Sequence, residues 1–324
     1  MPVHVSHISF KSYAGPRIRG DVPFVLGPTA SHWDRVLWLT AKVESGGTFG
    51  SIVMYDGTAV TAGLHQAIAV YPKELSHEDY QAKDDQGSFW SLLRRIELVP
   101  DFPEVKKLWD KLASSGFYLG RDGVLRYLND GTVKVGSRNV NYSAGDPVYG
   151  SHIRNTFTPM NGSVPKRGAQ WEQSKQWALA FHSVFSNPKS FKAQSEFGME
   201  HFEHVARTRH IGDEKIVDAL YGGSLRSPGY EGDDYDLALA VFWSHSVNAP
   251  AIAYRILKRA YRVAPPAEDS SKFARTLLHM LGRSNFGRWN FSEKNGRWSR
   301  TRSSAKKVWE SGLFSSSGIM PKAL

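Results

Sequence analysis

The sequence predicts an α+β fold that is mainly helical, and three observations lead to it. Apolar residues recur at helical spacing through much of the 324-residue chain, as they do in amphipathic helices. Asp-Gly turn pairs near residues 56, 122 and 130 interrupt that pattern beside residues that favour strands. The composition is 41% hydrophobic with 10 tryptophans, which suffices for one large core or two modest ones.

Three segments are predicted along the chain. Residues 1–29 are rich in Gly and Pro and are expected to form an extended N-terminal arm, residues 30–282 the main domain, and residues 283–324 a basic, aromatic-containing segment. A β-rich insertion is expected near 116–167, with a small meander followed by a long polar loop over 137–167. Helices are expected near residues 31–44, 63–70, 87–98, 103–115, 169–186, 189–209, 213–221, 233–246, 249–263 and 269–282.

The first predicted helix ends at Glu44. Its residues Trp33, Val36, Leu37, Thr40, Ala41 and Glu44 fall on one helical face, and all but Thr40 and Glu44 are apolar. Glu44 therefore belongs to the core-facing stripe at the helix C-terminus. Desolvation and the negative end of the helix dipole both disfavour an ionised carboxylate there, which is the property of a general acid.

A short hairpin is predicted over residues 52–64, immediately after the glycines that follow Glu44. Residues 52–55 favour a strand, Asp56-Gly57 is a turn pair, and a second strand begins near Thr61. Asp-Gly turns are usually only structural. Together with Glu44, however, Asp56 supplies the second carboxylate that glycoside hydrolysis uses, and the Thr61 hydroxyl can hold a water.

The segment from Trp33 to Ile68 resembles the lysozyme superfamily. Its order of residues is similar to that of phage-type lysozymes, which have a Glu, then about a dozen residues, then an Asp in a hairpin followed by Thr-x-Gly. Residues 56–63 look like the catalytic hairpin of the related chitosanases. Glu44-Ser45 and residues 63–66 look like the Glu-Ser and Gly-Leu-Met-Gln motifs of lytic transglycosylases.

The resemblance implies a lysozyme-like helical domain with a small catalytic β-hairpin, acting as a bacteriophage glycoside hydrolase on peptidoglycan. Glu44 would be the general acid, Asp56 would stabilise the oxocarbenium-like transition state or activate water, and Thr61 would place the water. The substrate-binding residues implied are Tyr55, His65 and Gln66.

Two alternatives stay open. One is a lytic transglycosylase on the same substrate; here the chain has His65 where that motif has Met, and Ala253-Tyr254-Arg255 is the nearest string to its Ala-Tyr-Asn motif. The other is a non-enzymatic phage structural or nucleic-acid-binding protein.

The net charge of +10 points to a polyanionic partner. Bacterial cell-wall peptidoglycan is the expected partner, with other phage virion proteins as further ones, and nucleic acid is disfavoured. From Arg283 to Lys307 eight basic residues face one Glu, so this segment is expected to adhere to the wall by charge.

The chain contains no cysteine, which excludes disulfides. His201 and His204 share a helix face without a third ligand at a telling spacing, so no metal or cofactor is expected. No signal peptide or membrane span is predicted. The expected location is the host cytoplasm during synthesis, and then the wall, reached within a virion or after release by a holin.

Two further sets of polar residues have structural interpretations. Asp233, Asp234 and Asp236 are expected to form a helix N-terminus, where carboxylates favour the dipole, with substrate contact as the alternative. His182 and His279 are expected to be hydrogen-bonded core residues.

Overall fold

The structure is a computed structural model that describes residues 3–10, 13–26, 30–45, 47–54, 58–70, 86–135, 137–158, 168–225, 229–230, 233–248 and 250–282.

The fold is α+β and mainly α. The described helices are α1 (His32–Glu44), α2 (Ser88–Glu97), α3 (Pro103–Ser114), α4 (Gly150–Phe157), α5 (Ala169–Phe185), α6 (Pro188–Thr208), α7 (Ile216–Tyr221), α8 (Asp233–Asn248), α9 (Pro250–Val263) and α10 (Ser270–Gly282). The described strands are β1 (Val5–Phe10), β2 (Tyr13–Ile18), β3 (Val22–Pro23), β4 (Thr48–Phe49), β5 (Ile52–Val53), β6 (Thr61–Ala62), β7 (Ala67–Ile68), β8 (Phe117–Leu119), β9 (Leu125–Tyr127), β10 (Gly131–Val135), β11 (Arg138–Tyr142), β12 (His210–Ile211) and β13 (Glu214–Lys215).

The chain divides into two compact units. The first comprises Met1–Pro23 and Thr48–Phe197, and the second comprises Phe24–Gly47 and Gly198–Leu324. Each unit has its own cluster of buried apolar side chains. The domain boundaries predicted from the sequence, after residues 29 and 282, stay predictions.

The first unit contains a five-stranded antiparallel sheet in the order β1-β2-β5-β6-β7. The segment predicted as an extended arm thus supplies two of these strands, with Val5 opposite Ile18 and Phe10 opposite Tyr13. Helix α5 packs against β2 and β5, and α2 packs against β7. Two small hairpins, β8–β9 and β10–β11, follow α3.

The second unit is built around α8. Its residues from Leu237 to Trp243 are all apolar, and Tyr235, Leu239, Phe242 and Trp243 are each at most 1% exposed. Helices α1, α9 and α10 all pack against it. A helix buried on most of its sides explains why the longest apolar run of the sequence lies here.

Most of the predicted helices are confirmed. Eight of them, near residues 31–44, 87–98, 103–115, 169–186, 189–209, 233–246, 249–263 and 269–282, agree with the structure to within two residues at each end. The helix predicted at 213–221 begins only at Ile216, because residues 210–215 form the β12–β13 hairpin.

Two local predictions are wrong. Residues 63–70 form a turn and β7 rather than a helix, because Gly63 and Gln66 both have positive φ, at 77° and 56°. The polar stretch 137–167 is not one long loop, since it contains β11 and α4. Strand β11 pairs with β10, and α4 buries Ile153 and Phe157 on one face.

Among the described helices, none combines the length and the apolar character needed to cross a bilayer.

Candidate active site

The six residues that the sequence assigns to the site lie on both units. Glu44 is the last residue of α1, in the second unit; its side chain lies outside the described part of the structure. Tyr55 and Asp56 lie outside the described residues. The described members in the first unit are Thr61, His65 and Gln66.

Helix α1 ends at Glu44 through backbone hydrogen bonds that close its last turn. The N–H groups of Ser45 and Gly47 both donate to the Ala41 carbonyl, each at 2.9 Å. Gly47 has a φ of 71°, the left-handed conformation in which helices commonly end and which glycine adopts without strain. The sequence prediction that this helix ends at Glu44 is confirmed, and the acidity predicted for Glu44 stays a prediction.

The predicted core-facing side of α1 is confirmed. Its buried members, each at most 4% exposed, are Trp33, Val36, Leu37, Thr40 and Ala41. The hydroxyl of Thr40 is satisfied within the helix, because its Oγ1 donates to the Val36 carbonyl at 2.9 Å. Trp33 makes edge-on contacts with Tyr221 and Trp243 in the second core.

A buried ionic group fixes the start of α1 on α8. His32 Nδ1 lies 2.7 Å from Asp236 Oδ1, and Arg35 Nε donates to Asp236 Oδ2 at 3.0 Å. The side chains of His32 and Asp236 are 1% and 2% exposed, and that of Arg35 is 38% exposed. We call these three residues the α1–α8 ion cluster. Ser31 caps the same helix end in a reciprocal capping box with Asp34.

The predicted hairpin is present and carries a third strand. Strand β5 pairs with β6, with Val53 opposite Thr61, and β6 pairs with β7, with Thr61 opposite Ile68. Thr61 therefore has a paired strand on each side and is only 4% exposed. Its Oγ1 lies 2.7 Å from Oγ1 of half-buried Thr58, so the two hydroxyls form a hydrogen-bonded pair.

The turn at residues 63–66 joins β6 to β7 and contains two predicted substrate-binding residues, His65 and Gln66, both half-buried. Only glycine fits at Gly63. Its φ is 77°, and a Cβ there would lie 2.9 Å from Gln194 Oε1 and 3.2 Å from the Phe185 ring. The turn is therefore packed directly on α5 and α6.

Two buried polar side chains of these helices bind the backbone around the hairpin. Gln194 accepts a hydrogen bond from the Leu64 N–H at 3.3 Å, and its Nε2 donates to the Phe185 carbonyl at 2.7 Å. His182 Nδ1 lies 2.7 Å from the Gly50 carbonyl. Since a carbonyl only accepts, Nδ1 carries the proton. We call Gln194 and His182 the hairpin anchors.

The histidine predictions have opposite outcomes. His182 is 5% exposed and hydrogen-bonded, so its assignment as a satisfied core residue is confirmed. His279 is exposed on α10, so its assignment to the core is wrong. The apolar face of α10 lies at Phe273, Leu277 and Leu281, and residue 279 falls on the opposite side of that helix.

Sequence reasoning missed Thr58, Gln194 and the pairing of Asp236. Thr58 carries a local signal, since it stands between Asp56 and Thr61 in the predicted hairpin. Gln194 and Asp236 have no such local signal, because their partners Leu64 and Arg35 lie 130 and 201 residues away in the chain. Asp236 was expected at a helix N-terminus; α8 does begin at Asp233, but Asp236 itself is turned into the core.

The described residues contain no group of three or more His, Asp or Glu side chains arranged to hold a metal ion. The chain matches no protein-family model, no curated protein and no solved structure. Any functional assignment therefore depends on the chain's own residues and on the order of its elements.

Proposed function

We propose that this protein cleaves the glycan backbone of bacterial peptidoglycan by acid catalysis, with Glu44 as the general acid. The enzyme would be a lysozyme-like glycoside hydrolase that meets its substrate at the cell wall, from a virion or after release from the cell.

The order of elements from α1 to β7 is the observation that supports this function best. A helix with a buried apolar face ends at a glutamate, a glycine turn and the short strand β4 follow, and the antiparallel strands β5, β6 and β7 come next. Asp56 stands in the chain between β5 and β6, and Thr61 lies on β6. Two carboxylates and a hydroxyl along one such segment are the groups that glycoside hydrolysis requires.

Each residue has a defined role in the proposed reaction. Glu44 protonates the glycosidic oxygen as the bond to the anomeric carbon breaks. Asp56 either stabilises the positive charge that develops on the sugar ring or activates water on the opposite face. Thr61 is 4% exposed and its hydroxyl is bonded to that of Thr58, so a water would meet this pair at the less buried Thr58, and Thr61 would act through Thr58.

A lytic transglycosylase is the second candidate, and the 63–66 turn is the observation that favours it. This turn corresponds to the Gly-Leu-Met-Gln-like motif, and its glycine and leucine are held by Phe185 and Gln194. A transglycosylase works with one acid and needs no second carboxylate. Under this alternative Asp56 would be a turn residue.

The products distinguish the two reactions. Purified protein is incubated with insoluble peptidoglycan, and the released fragments are analysed by mass spectrometry. A hydrolase produces reducing sugar ends, whereas a transglycosylase produces anhydro-muramic ends. The absence of released glycan fragments, with folded protein in the assay, would contradict both and favour a structural or nucleic-acid-binding role.

A further inference from the structure

Helix α9, in the second unit, has two chemically opposite faces. Ala253, Leu257 and Ala260 are fully buried. Four cationic side chains project from the other side, and all four are exposed: Arg255, Lys258, Arg259 and Arg262. At 100° per residue the cations centre about 180° from the buried residues. We call these four residues the α9 basic stripe.

The spacing of the stripe makes it one continuous surface. Its members stand at i, i+3, i+4 and i+7, so they are neighbours on the helix. The stripe spans about 10 Å along the axis at a rise of about 1.5 Å per residue. Like charges at this spacing repel one another and destabilise an isolated helix by a small amount, so the arrangement favours a bound anion.

Nearby acidic groups do not neutralise the stripe. Within the described part of the chain, none of its four members forms an ion pair with a carboxylate. Glu214 Oε2 accepts from the Tyr261 hydroxyl at 2.9 Å, and Asp269 caps α10 by accepting from the Lys272 N–H at 2.8 Å.

Other cations lie on neighbouring parts of the second unit. The Arg209 guanidinium lies over the Tyr254 ring, 4.5 Å from its centre, beside the first residue of the stripe. Helix α10 packs against α9 and exposes Lys272 and Arg275.

The chemistry of the stripe selects one class of partner. Among its described side chains, helix α9 has no fully exposed aromatic one, and its exposed large apolar residue is Val263 beside Arg262, which disfavours a stacked single-stranded nucleic acid and an inserted membrane helix. Three of its four members are arginines, whose planar guanidinium binds carboxylates and phosphates in a bidentate manner, and peptidoglycan itself supplies carboxylates. We infer that the α9 basic stripe binds the stem-peptide carboxylates of peptidoglycan and holds the protein on its substrate; this inference rests on the proposed function.

The test compares two variants with the same net charge. The stripe variant carries Arg255→Gln, Lys258→Gln, Arg259→Gln and Arg262→Gln, which lowers the net charge from +10 to +6. The control variant carries four substitutions of exposed cations in the first unit, which give the same +6: Lys106→Gln, Lys107→Gln, Arg121→Gln and Arg138→Gln. Both retain the full chain, so the basic segment after residue 282 contributes equally to each.

Binding is measured by pull-down with insoluble peptidoglycan from which attached phosphate polymers have been removed. The stripe variant should bind roughly tenfold more weakly than the control variant at low salt, since exposed ion pairs contribute little singly but add up over four contacts. The difference should shrink above about 0.5 M salt, where exposed charges are screened. Blocking the peptide carboxyls by amidation should weaken binding of the unmutated protein by at least the same factor, because the basic segment after residue 282 loses its carboxylate partners as well.

Three outcomes would overturn the inference: equal binding by the two variants, undiminished binding to amidated peptidoglycan, or retention on duplex DNA but not on peptidoglycan. Released glycan fragments are measured in the same tubes. Binding that depends on the stripe without any glycan release would leave the inference standing and contradict the proposed hydrolase.

Discussion

The two segments that carry the proposed catalytic residues are fixed in their units by different chemistry. Helix α1, which ends at Glu44, is held at its start by the α1–α8 ion cluster, in which a buried carboxylate faces a histidine and an arginine. The hairpin that carries Thr61 is held by the hairpin anchors, two side chains that bind backbone groups and have no charged partner there. A buried charge that loses its partner costs more than a neutral group that does so. We therefore expect the second unit to be more sensitive to a single polar substitution than the first.

The largest effect is expected from Asp236→Asn. The substitution keeps the shape of the side chain but leaves the His32 and Arg35 side chains without a carboxylate. We expect a loss of about 3 kcal/mol in the free energy of unfolding, at the lower end for a broken buried ion pair because Arg35 is partly exposed. Chemical denaturation followed by tryptophan fluorescence measures it. Asp269→Asn is the control: the asparagine can still cap α10, so stability should hardly change.

Gly63→Ala tests how tightly the hairpin is docked in the first unit. Positive φ alone should cost about 1 kcal/mol, and the contacts with Gln194 and Phe185 should bring the total to about 2–3 kcal/mol. Gly116→Ala is the matched control, since Gly116 has a φ of 84° and no atom within 4 Å of its Cβ position. If the two alanine variants lose the same amount of unfolding free energy, packing of the 63–66 turn against Gln194 and Phe185 does not contribute to stability.

Removal of a neutral anchor should have a smaller effect than Asp236→Asn. Gln194→Ala leaves the buried Leu64 N–H without its acceptor, and we expect a loss of about 2 kcal/mol. Gln170→Ala, at an exposed position on α5, should change stability by no more than about 0.5 kcal/mol. A loss for Gln194→Ala that exceeds the loss for Asp236→Asn would reverse the comparison between the units.

The smallest effect concerns pH and a single histidine of the first unit. Burial lowers the pKa of His152, whose Nδ1 lies 3.1 Å from the Tyr127 hydroxyl. The folded state therefore favours the neutral ring, and stability should fall as pH drops below the unfolded value of about 6.5. The pH dependence of unfolding between about pH 5 and pH 7 should be shallower in His152→Gln than in wild type. It should be unchanged in the control Gln170→Ala, which removes no titratable group; the same slope in all three proteins would exclude His152.

Sequence and structure agree where the determinants are local. The helix from Trp33 to Glu44 has a 3.6-residue apolar period, and the hairpin near Thr61 has a turn pair between β-favouring residues. The helix predicted over residues 63–70 is wrong because a short apolar run does not distinguish a helix from a strand. The positive φ of Gly63 produces a turn there instead. The α1–α8 ion cluster and the Gln194 anchor could not be predicted, since contacts between residues more than 100 positions apart leave no periodic signal in a single sequence.

For the candidate site, the sequence predicted residue types and their order but not their surroundings. Thr61 was expected to hold water, and the structure adds its burial and its bond to Thr58. Asp56→Asn should reduce glycan release if Asp56 acts as the second carboxylate. Unchanged release, measured as fragments over time, would assign Asp56 to the turn and favour the one-acid transglycosylase.

The central claim is that Glu44 is the general acid, and the rate of glycan release by Glu44→Gln tests it most directly. Glutamine has nearly the same shape but no transferable proton, so release from peptidoglycan should fall by about 10²–10⁴-fold while the free energy of unfolding stays close to that of wild type. Glu268→Gln makes the same chemical change at an exposed position and should retain full activity. A Glu44→Gln protein that releases glycan at the wild-type rate would contradict the proposed mechanism.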